Sequence, residues 1–142
     1  MKVVIGFDGS PSARHAVQRA VELFGPADPR IVLLGVVSPP TSTSPVTETA
    51  HAELCAEFRA EMREVIDELR EPSLSIEATL MEGDPRRGLA KYVSAEKPDV
   101  VVVGARGQNR IAKMLLGSVS TYAVKYLPVP VIVVRLPEEI ET

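Results

Sequence analysis

Tryptophan is absent from this chain of 142 residues, and only three tyrosines and three phenylalanines supply aromatic rings. That leaves little material for a platform that stacks nucleobases on aromatic side chains. The single cysteine, Cys55, allows no internal disulfide, which fits a reducing cytoplasm. It falls in a helical stretch and reads as a small core hydrophobe rather than a nucleophile. No apolar run approaches the ~18 residues that span a bilayer. The opening M-K-V-V-I-G-F-D has neither the long apolar region nor the small-residue cleavage site of a signal peptide, so it is expected to be a strand. The expectation is therefore a cytoplasmic chain with no membrane partner. A formal net charge of −3 argues against a nucleic-acid partner.

Chemistry-bearing motifs are also scarce. The chain has no G-x-x-x-x-G-K-[ST], no H-E-x-x-H, no C-x-x-C and no G-x-S-x-G. After the first strand Asp8 stands where a dinucleotide fingerprint needs glycine. His15 and His51, the two histidines, have no partner at ligand spacing and are expected on the solvated surface. Nothing announces a nucleophile, a general base or a protein-built metal site. The residues support holding a nucleotide better than transforming one.

One absence is informative. Between Val100 and Pro137 there is no Asp or Glu, while Arg106, Arg110, Lys113, Lys125 and Arg135 fall in the same span. A locally cationic segment in an acidic chain suits a polyphosphate. The segment begins with four valines, Val100 to Val103, a run that reads as a fully buried strand. Gly104 and Gly107 follow, and Gly117 and Ser118 open a helix. Glycines admit an anion close to main-chain N–H groups, and a helix N-terminus adds unpaired N–H groups and a positive dipole end. Ser118 and Ser120 are expected to add hydroxyl donors. A plain strand–loop–helix turn is the alternative for the same glycines.

The rest of the chain alternates regularly. Lys2 to Phe7 is an apolar strand. Ser10 is a helix N-cap with Pro11 at the first helical position, and Ala13, Ala16, Val17, Ala20, Val21 and Phe24 form one helical face. Gly25-Pro26 ends that helix. Ile31 to Val37 is a second buried strand. Ser38 to Pro45 reads as a mobile loop, either a ligand lid or a simple solvated connection.

Thr47 to Arg70 is the longest helix, with Leu54, Phe58, Met62, Val65, Ile66 and Leu69 as its buried stripe. Its other face is acidic, with eight carboxylates against three arginines between Glu48 and Glu71. Leu74 to Leu80 alternates apolar and polar residues, as an edge strand does. Asp84 and Pro85 then start a helix to about Glu96, with Arg86 and Arg87 in a first turn that disfavours cations and so hints at a nearby anion. A helix from Gly117 to Tyr126 and a strand from Val131 to Val134 complete the count, and the tail E-E-I-E-T is expected to fray. Five strands alternating with four helices predict an α/β, parallel, doubly wound sheet whose ligands bind beyond the C-terminal strand ends.

The spacing G-x2-G-x9-G-[ST], here Gly104, Gly107, Gly117 and Ser118, resembles the nucleotide-binding signature of the universal stress protein family. V-V-I-G-F-D-G-S-P-S, Gly83-Asp84-Pro85, V-V-V-G-A-R-G, L-L-G-S-V-S and P-V-P-V-I-V-V-R extend the likeness in order over nearly the whole chain, as a single domain. The resemblance implies a Rossmann-like, adenine nucleotide alpha-hydrolase-like α/β fold. Its five-stranded parallel sheet has strand order 3-2-1-4-5, with helices on both faces. It also implies a homodimer paired through Val131, Ile132, Val133 and Val134.

For the ATP-binding members it implies a site in which Asp8, with Phe7, Gly9 and Ser10, contacts the nucleoside or organises a metal. Main-chain groups around Val36 and Val37 would read the adenine edge. Gly104, Arg106, Gly107, Gly117, Ser118, Val119 and Ser120 would hold ribose and phosphates. The ligand implied is ATP, with AMP and ADP as alternatives, and Mg2+ or Mn2+ carried on the phosphates. Ala105 and Tyr126 stand where many members have serine and histidine. The implied function is a cytoplasmic nucleotide-responsive regulator of stress response. The alternatives are a slow ATP hydrolase using Asp8, or an interaction module with a vestigial site working through the acidic helix or the last strand. Gly117→Ala and Gly104→Asp are expected to weaken binding and leave the fold largely intact.

Overall fold

The structure, a computed structural model, describes residues 1–107 and 116–137. The strands are β1 (Lys2–Gly6), β2 (Arg30–Val37), β3 (Ser75–Glu82), β4 (Val100–Gly104) and β5 (Val131–Val134). The helices are α1 (Pro11–Phe24), α2 (Pro45–Glu68), α3 (Pro85–Glu96) and α4 (Ser118–Tyr126). All strands pair in parallel in the order β3-β2-β1-β4-β5, as the alternation and the resemblance imply. The tail from Glu138 and the cations Arg110 and Lys113 lie outside the described residues.

Strand periodicity divides the core into two layers. Val3, Ile5, Ile31, Leu33, Val100 and Val102 face α1 and α2, meeting Ala13, Ala16, Val17 and Ala20 from α1 and Met62 and Val65 from α2. Val4, Val32, Leu34, Val101 and Val103 face the opposite way, against Leu89 and Val93 of α3 and Ala123 of α4. The central strands read as continuous apolar runs because both faces are covered. β3 and β5 are the two edges, β3 as its alternation predicts; Pro128 and Pro130, just before β5, suit an edge or an entry point alike. Ala78, expected inward, is exposed on β3.

Caps follow the sequence signals. Ser10 accepts the Ala13 N–H at 3.1 Å, and Asp84 accepts the N–H groups of Arg86 and Arg87 at 2.9 and 3.3 Å. Arg86 also donates to Asp84 through its side chain, at 3.4 Å from Nε and 3.3 Å from the terminal nitrogen. For Arg86, one of the two arginines that hinted at an anion, that anion is the carboxylate of its own helix cap.

Three expectations about α2 need correction. The helix starts at Pro45, because Ser44 caps it by accepting the Thr47 N–H at 3.2 Å, so the loop ends before Pro45. Leu54, expected in the buried stripe, is 51% exposed, because the helix meets the core only through its C-terminal half. His51, expected on the surface, is largely covered and sits 2.9 Å from Glu82 of β3, with Cys55 Sγ 3.5 Å away. His15 is half-buried on α1 rather than solvated.

Candidate functional site

β1 and β4 are neighbours, with Val3 opposite Val100 and Ile5 opposite Val102. The loops that leave them therefore emerge side by side at the C-terminal edge of the sheet. There they border a crevice of about 430 Å³, a size typical of small-molecule sites. One end is apolar, formed by Phe7, Leu34 and Val36 from the strand ends and Pro85 and Leu89 from α3. The other is built from Asp8, Gly104, Arg106, Gly107 and the start of α4 at Gly117 to Ser120.

The polar end is tightly packed. Gly117 donates its N–H to the Ala105 carbonyl at 2.6 Å. A Cβ on Gly117 would lie 3.2 Å from Gly107 N and 3.3 Å from Arg106 Cα, so the loop and the helix start approach backbone to backbone. α4 has no side-chain cap. The N–H of Thr121 is the first to bond within the helix, to Gly117 O at 3.0 Å. The N–H groups of Ser118, Val119 and Ser120 precede it and have no intrahelical acceptor. Ser118 is exposed in this first turn.

Asp8 faces this end. Its Oδ1 accepts the Ser10 N–H at 2.9 Å, and its Oδ2 lies 2.8 Å from where a Gly107 Cβ would stand. Gly9 carries φ 80, a conformation that favours glycine and turns the chain from Asp8 into the α1 cap. Arg106 lines the crevice, and its Nε is buried with no hydrogen-bond partner among the described residues. A buried orphan donor is uncommon.

Of the residues expected at a ligand site, Phe7, Asp8, Val36, Gly104, Arg106, Gly107, Gly117, Ser118, Val119 and Ser120 line the crevice together. Gly9, Ser10 and Val37 do not. Ser10 is 1% exposed beneath the loop, and the Val37 carbonyl accepts the Gly83 N–H at 2.8 Å across the β2–β3 pair. The exposed connection at 38–44 contributes no lining residue.

Three further expectations change. Ser120 does not offer its hydroxyl proton to the crevice; the residue is 2% exposed and its Oγ lies 2.9 Å from the Ala105 carbonyl and 3.1 Å from that of Gly117. Among the described cations of the acid-free span, Arg106 lines the crevice, whereas Lys125 and Arg135 are exposed elsewhere. Lys125 is in the last turn of α4, at the end of the helix away from the crevice. Gly104 is a packing glycine: a Cβ there would lie 2.7 Å from Ser12 C and 2.8 Å from Ala13 N, so Gly104→Asp would disturb the fold. Gly117→Ala meets backbone as well.

Sequence reasoning missed the α3 wall. Pro85 and Leu89 are four residues apart and share one helical face. Gly83-Asp84-Pro85 follows β3 at the same sheet edge as Asp8 and Gly104, which is the signal that could have found them. Gly88, between them, brings α3 close to β2: a Cβ there would lie 2.9 Å from Val36 Cγ1.

Residues 1–135 match the universal stress protein family. A universal stress protein of Methanocaldococcus jannaschii is 25% identical over 142 residues, covering 97% of this chain and 84% of that one. The solved structure of hypothetical protein MJ0577 superposes with a TM-score of 0.85 at 23% identity, covering 95% of each chain. A universal stress protein in complex with cAMP gives 0.71 at 27% identity, covering 94% of this chain and 95% of that one. An Arabidopsis thaliana family protein with AMP bound gives 0.73 at 22% identity, covering 98% and 94%.

Proposed function

The chain belongs to the universal stress protein family, and from that premise we propose that its crevice binds an adenine nucleotide. The observation that carries the proposal is the close approach of Gly107 to the start of α4, whose first N–H groups have no side-chain cap, with Asp8 and Arg106 lining the same end of the crevice. An anion at that junction would complete the helix terminus. The apolar end, between Val36 and Leu89, suits a purine. The complexes of relatives with cAMP and AMP support an adenine ligand.

ATP is the ligand we favour, because the Arg106 cation lines the same end of the crevice as Gly107 and the uncapped start of α4, a combination that suits a polyphosphate. Mg2+ or Mn2+ would be carried on the phosphates. The donor set fits that arrangement, since Asp8 supplies one carboxylate beside the loop and no cluster of three ligating side chains occurs among the described residues. We extend the proposal to a cytoplasmic regulator whose nucleotide occupancy is the signal in a stress response, paired as a homodimer through β5.

Isothermal titration with ATP, AMP and adenosine tests the proposal, alongside mass spectrometry of small molecules released from freshly purified protein. Saturable ATP binding is expected; no heat at millimolar nucleotide would overturn it. Ser118→Asp is the informative variant, because the residue is exposed at the first turn of α4. A carboxylate there suits the helix dipole and keeps the fold, while repelling phosphate. ATP affinity should fall by at least about tenfold with an unchanged thermal midpoint.

A further inference from the structure

Two buried hydroxyls grip the loop after β4 from opposite sides. Ser120 Oγ lies 2.9 Å from the Ala105 carbonyl, which the Gly117 N–H also reaches at 2.6 Å. Ser10 Oγ accepts the Ala13 N–H at 3.1 Å and donates its own proton to the Arg106 carbonyl at 3.3 Å. Each serine contributes one hydroxyl proton, and in each the carbonyls of the loop lie within its reach. Both are almost fully covered, at 1% and 2% exposure.

These bonds determine where the loop's donors point. Peptide units among the described residues are trans, so each N–H is directed opposite to the carbonyl of its own unit. Holding Ala105 C=O toward α4 turns the Arg106 N–H away from α4. Holding Arg106 C=O toward Ser10 turns the Gly107 N–H away from α1. Gly107 N lies 3.2 Å from where a Gly117 Cβ would stand, so this second N–H belongs to the same junction as the open amides of α4.

We propose that Ser10 and Ser120 are positioning residues for phosphate recognition: Ser10, by holding the Arg106 carbonyl, fixes the direction of the Gly107 amide, and Ser120, by holding the Ala105 carbonyl together with the Gly117 N–H, fixes the loop against the α4 N-terminus, neither donating to the nucleotide itself. The proposal rests on the nucleotide reading of the crevice. It assigns the two serines a role distinct from direct phosphate contact. Phosphate affinity then depends on two hydroxyls that face the loop rather than the ligand, and the base and ribose do not depend on them.

The experiment compares ATP with adenosine in the full-length protein. Ser120→Ala should lower ATP affinity by about tenfold, because it removes a buried donor to the loop, while leaving adenosine affinity unchanged. Ser10→Ala should show the same split with an added loss of thermal stability from the missing α1 cap, and Ser10→Thr, which keeps cap and donor, should restore ATP affinity. Equal losses for ATP and adenosine, or no loss for either, would overturn the positioning role while the nucleotide reading stands. If the unmodified protein binds neither ligand, the nucleotide reading falls and takes this inference with it. The Ser10 pair keeps the test decisive should Ser120→Ala fail to fold.

Discussion

Gly104 illustrates how one residue type serves opposite purposes within a short stretch. At Gly107 the missing side chain leaves room for Asp8; at Gly104 it lets β4 lie against the first turn of α1, with Ser12 and Ala13 in the way of any Cβ. The obstruction is backbone, which yields less readily than a side chain. Gly104→Ala should therefore destabilise the protein by about 1–3 kcal/mol, the usual cost of overpacking a well-packed interior. Chemical denaturation of the purified variant checks this, and a midpoint equal to that of the unmodified protein would contradict it. The same four-residue motif thus contains one glycine that shapes the crevice and one that seats a helix. Spacing alone makes them look equivalent.

At the scale of elements, each helix start is a local solution to unpaired N–H groups, and the four solutions differ in consequence. α1, α2 and α3 are capped by Ser10, Ser44 and Asp84; α4 is not capped by a side chain. The α3 cap adds charge. The Arg86 guanidinium foremost, and then the Arg87 N–H, hold the Asp84 carboxyl below its ordinary value of 3.8. A carboxyl depressed in the folded state stabilises the protein above the unfolded value and loses that contribution as pH falls through the folded one.

Asp84→Asn keeps a capping oxygen and removes the charge. The stability difference between the two proteins should be fully present above pH 3.8 and be lost progressively as pH falls from there through the depressed folded value. Denaturation curves across that range measure it. Asp84 is solvent-exposed, so the difference should also shrink with added salt. α2 shows the reverse dependence, since its length comes from local propensity but its buried stripe from what lies beneath it. Leu54 has helical spacing with Phe58 and Met62, yet the helix passes the core boundary before reaching it.

For the whole molecule, an open parallel sheet leaves two unpaired edges, β3 and β5. β3 carries polar residues at alternate positions, and its Glu77 pairs with Arg30 of β2 at 3.1 Å. β5 is short and apolar, and Val131, Ile132 and Val133 are only half-buried. An apolar edge of this kind favours pairing with another strand, which supports the proposed homodimer. Sedimentation should give a dimer mass that dissociates on dilution, with hydrogen exchange of the outer β5 amides accelerating in step. A monomer mass at all concentrations would contradict pairing through this strand.

Local chemistry along the chain was enough to decide the succession of strands and helices, the caps at Ser10 and Asp84, and the edge position of β3. Each depends on neighbours within a few residues or on a periodicity the residues themselves carry. The loops after β1 and β4 could likewise be expected to border one crevice, because parallel strands of a doubly wound sheet release their loops on one side. Tertiary structure alone decided how those residues divide their labour. Whether Ser120 donates to a ligand or to the Ala105 carbonyl depends on a loop fifteen positions earlier. Whether Gly104 faces phosphate or α1 depends on how closely a helix ninety residues away approaches, and whether Pro85 and Leu89 close the crevice depends on α3 lying across β2. Each of these is a contact between segments distant in sequence, and no pattern of spacing encodes the direction from which such a neighbour arrives.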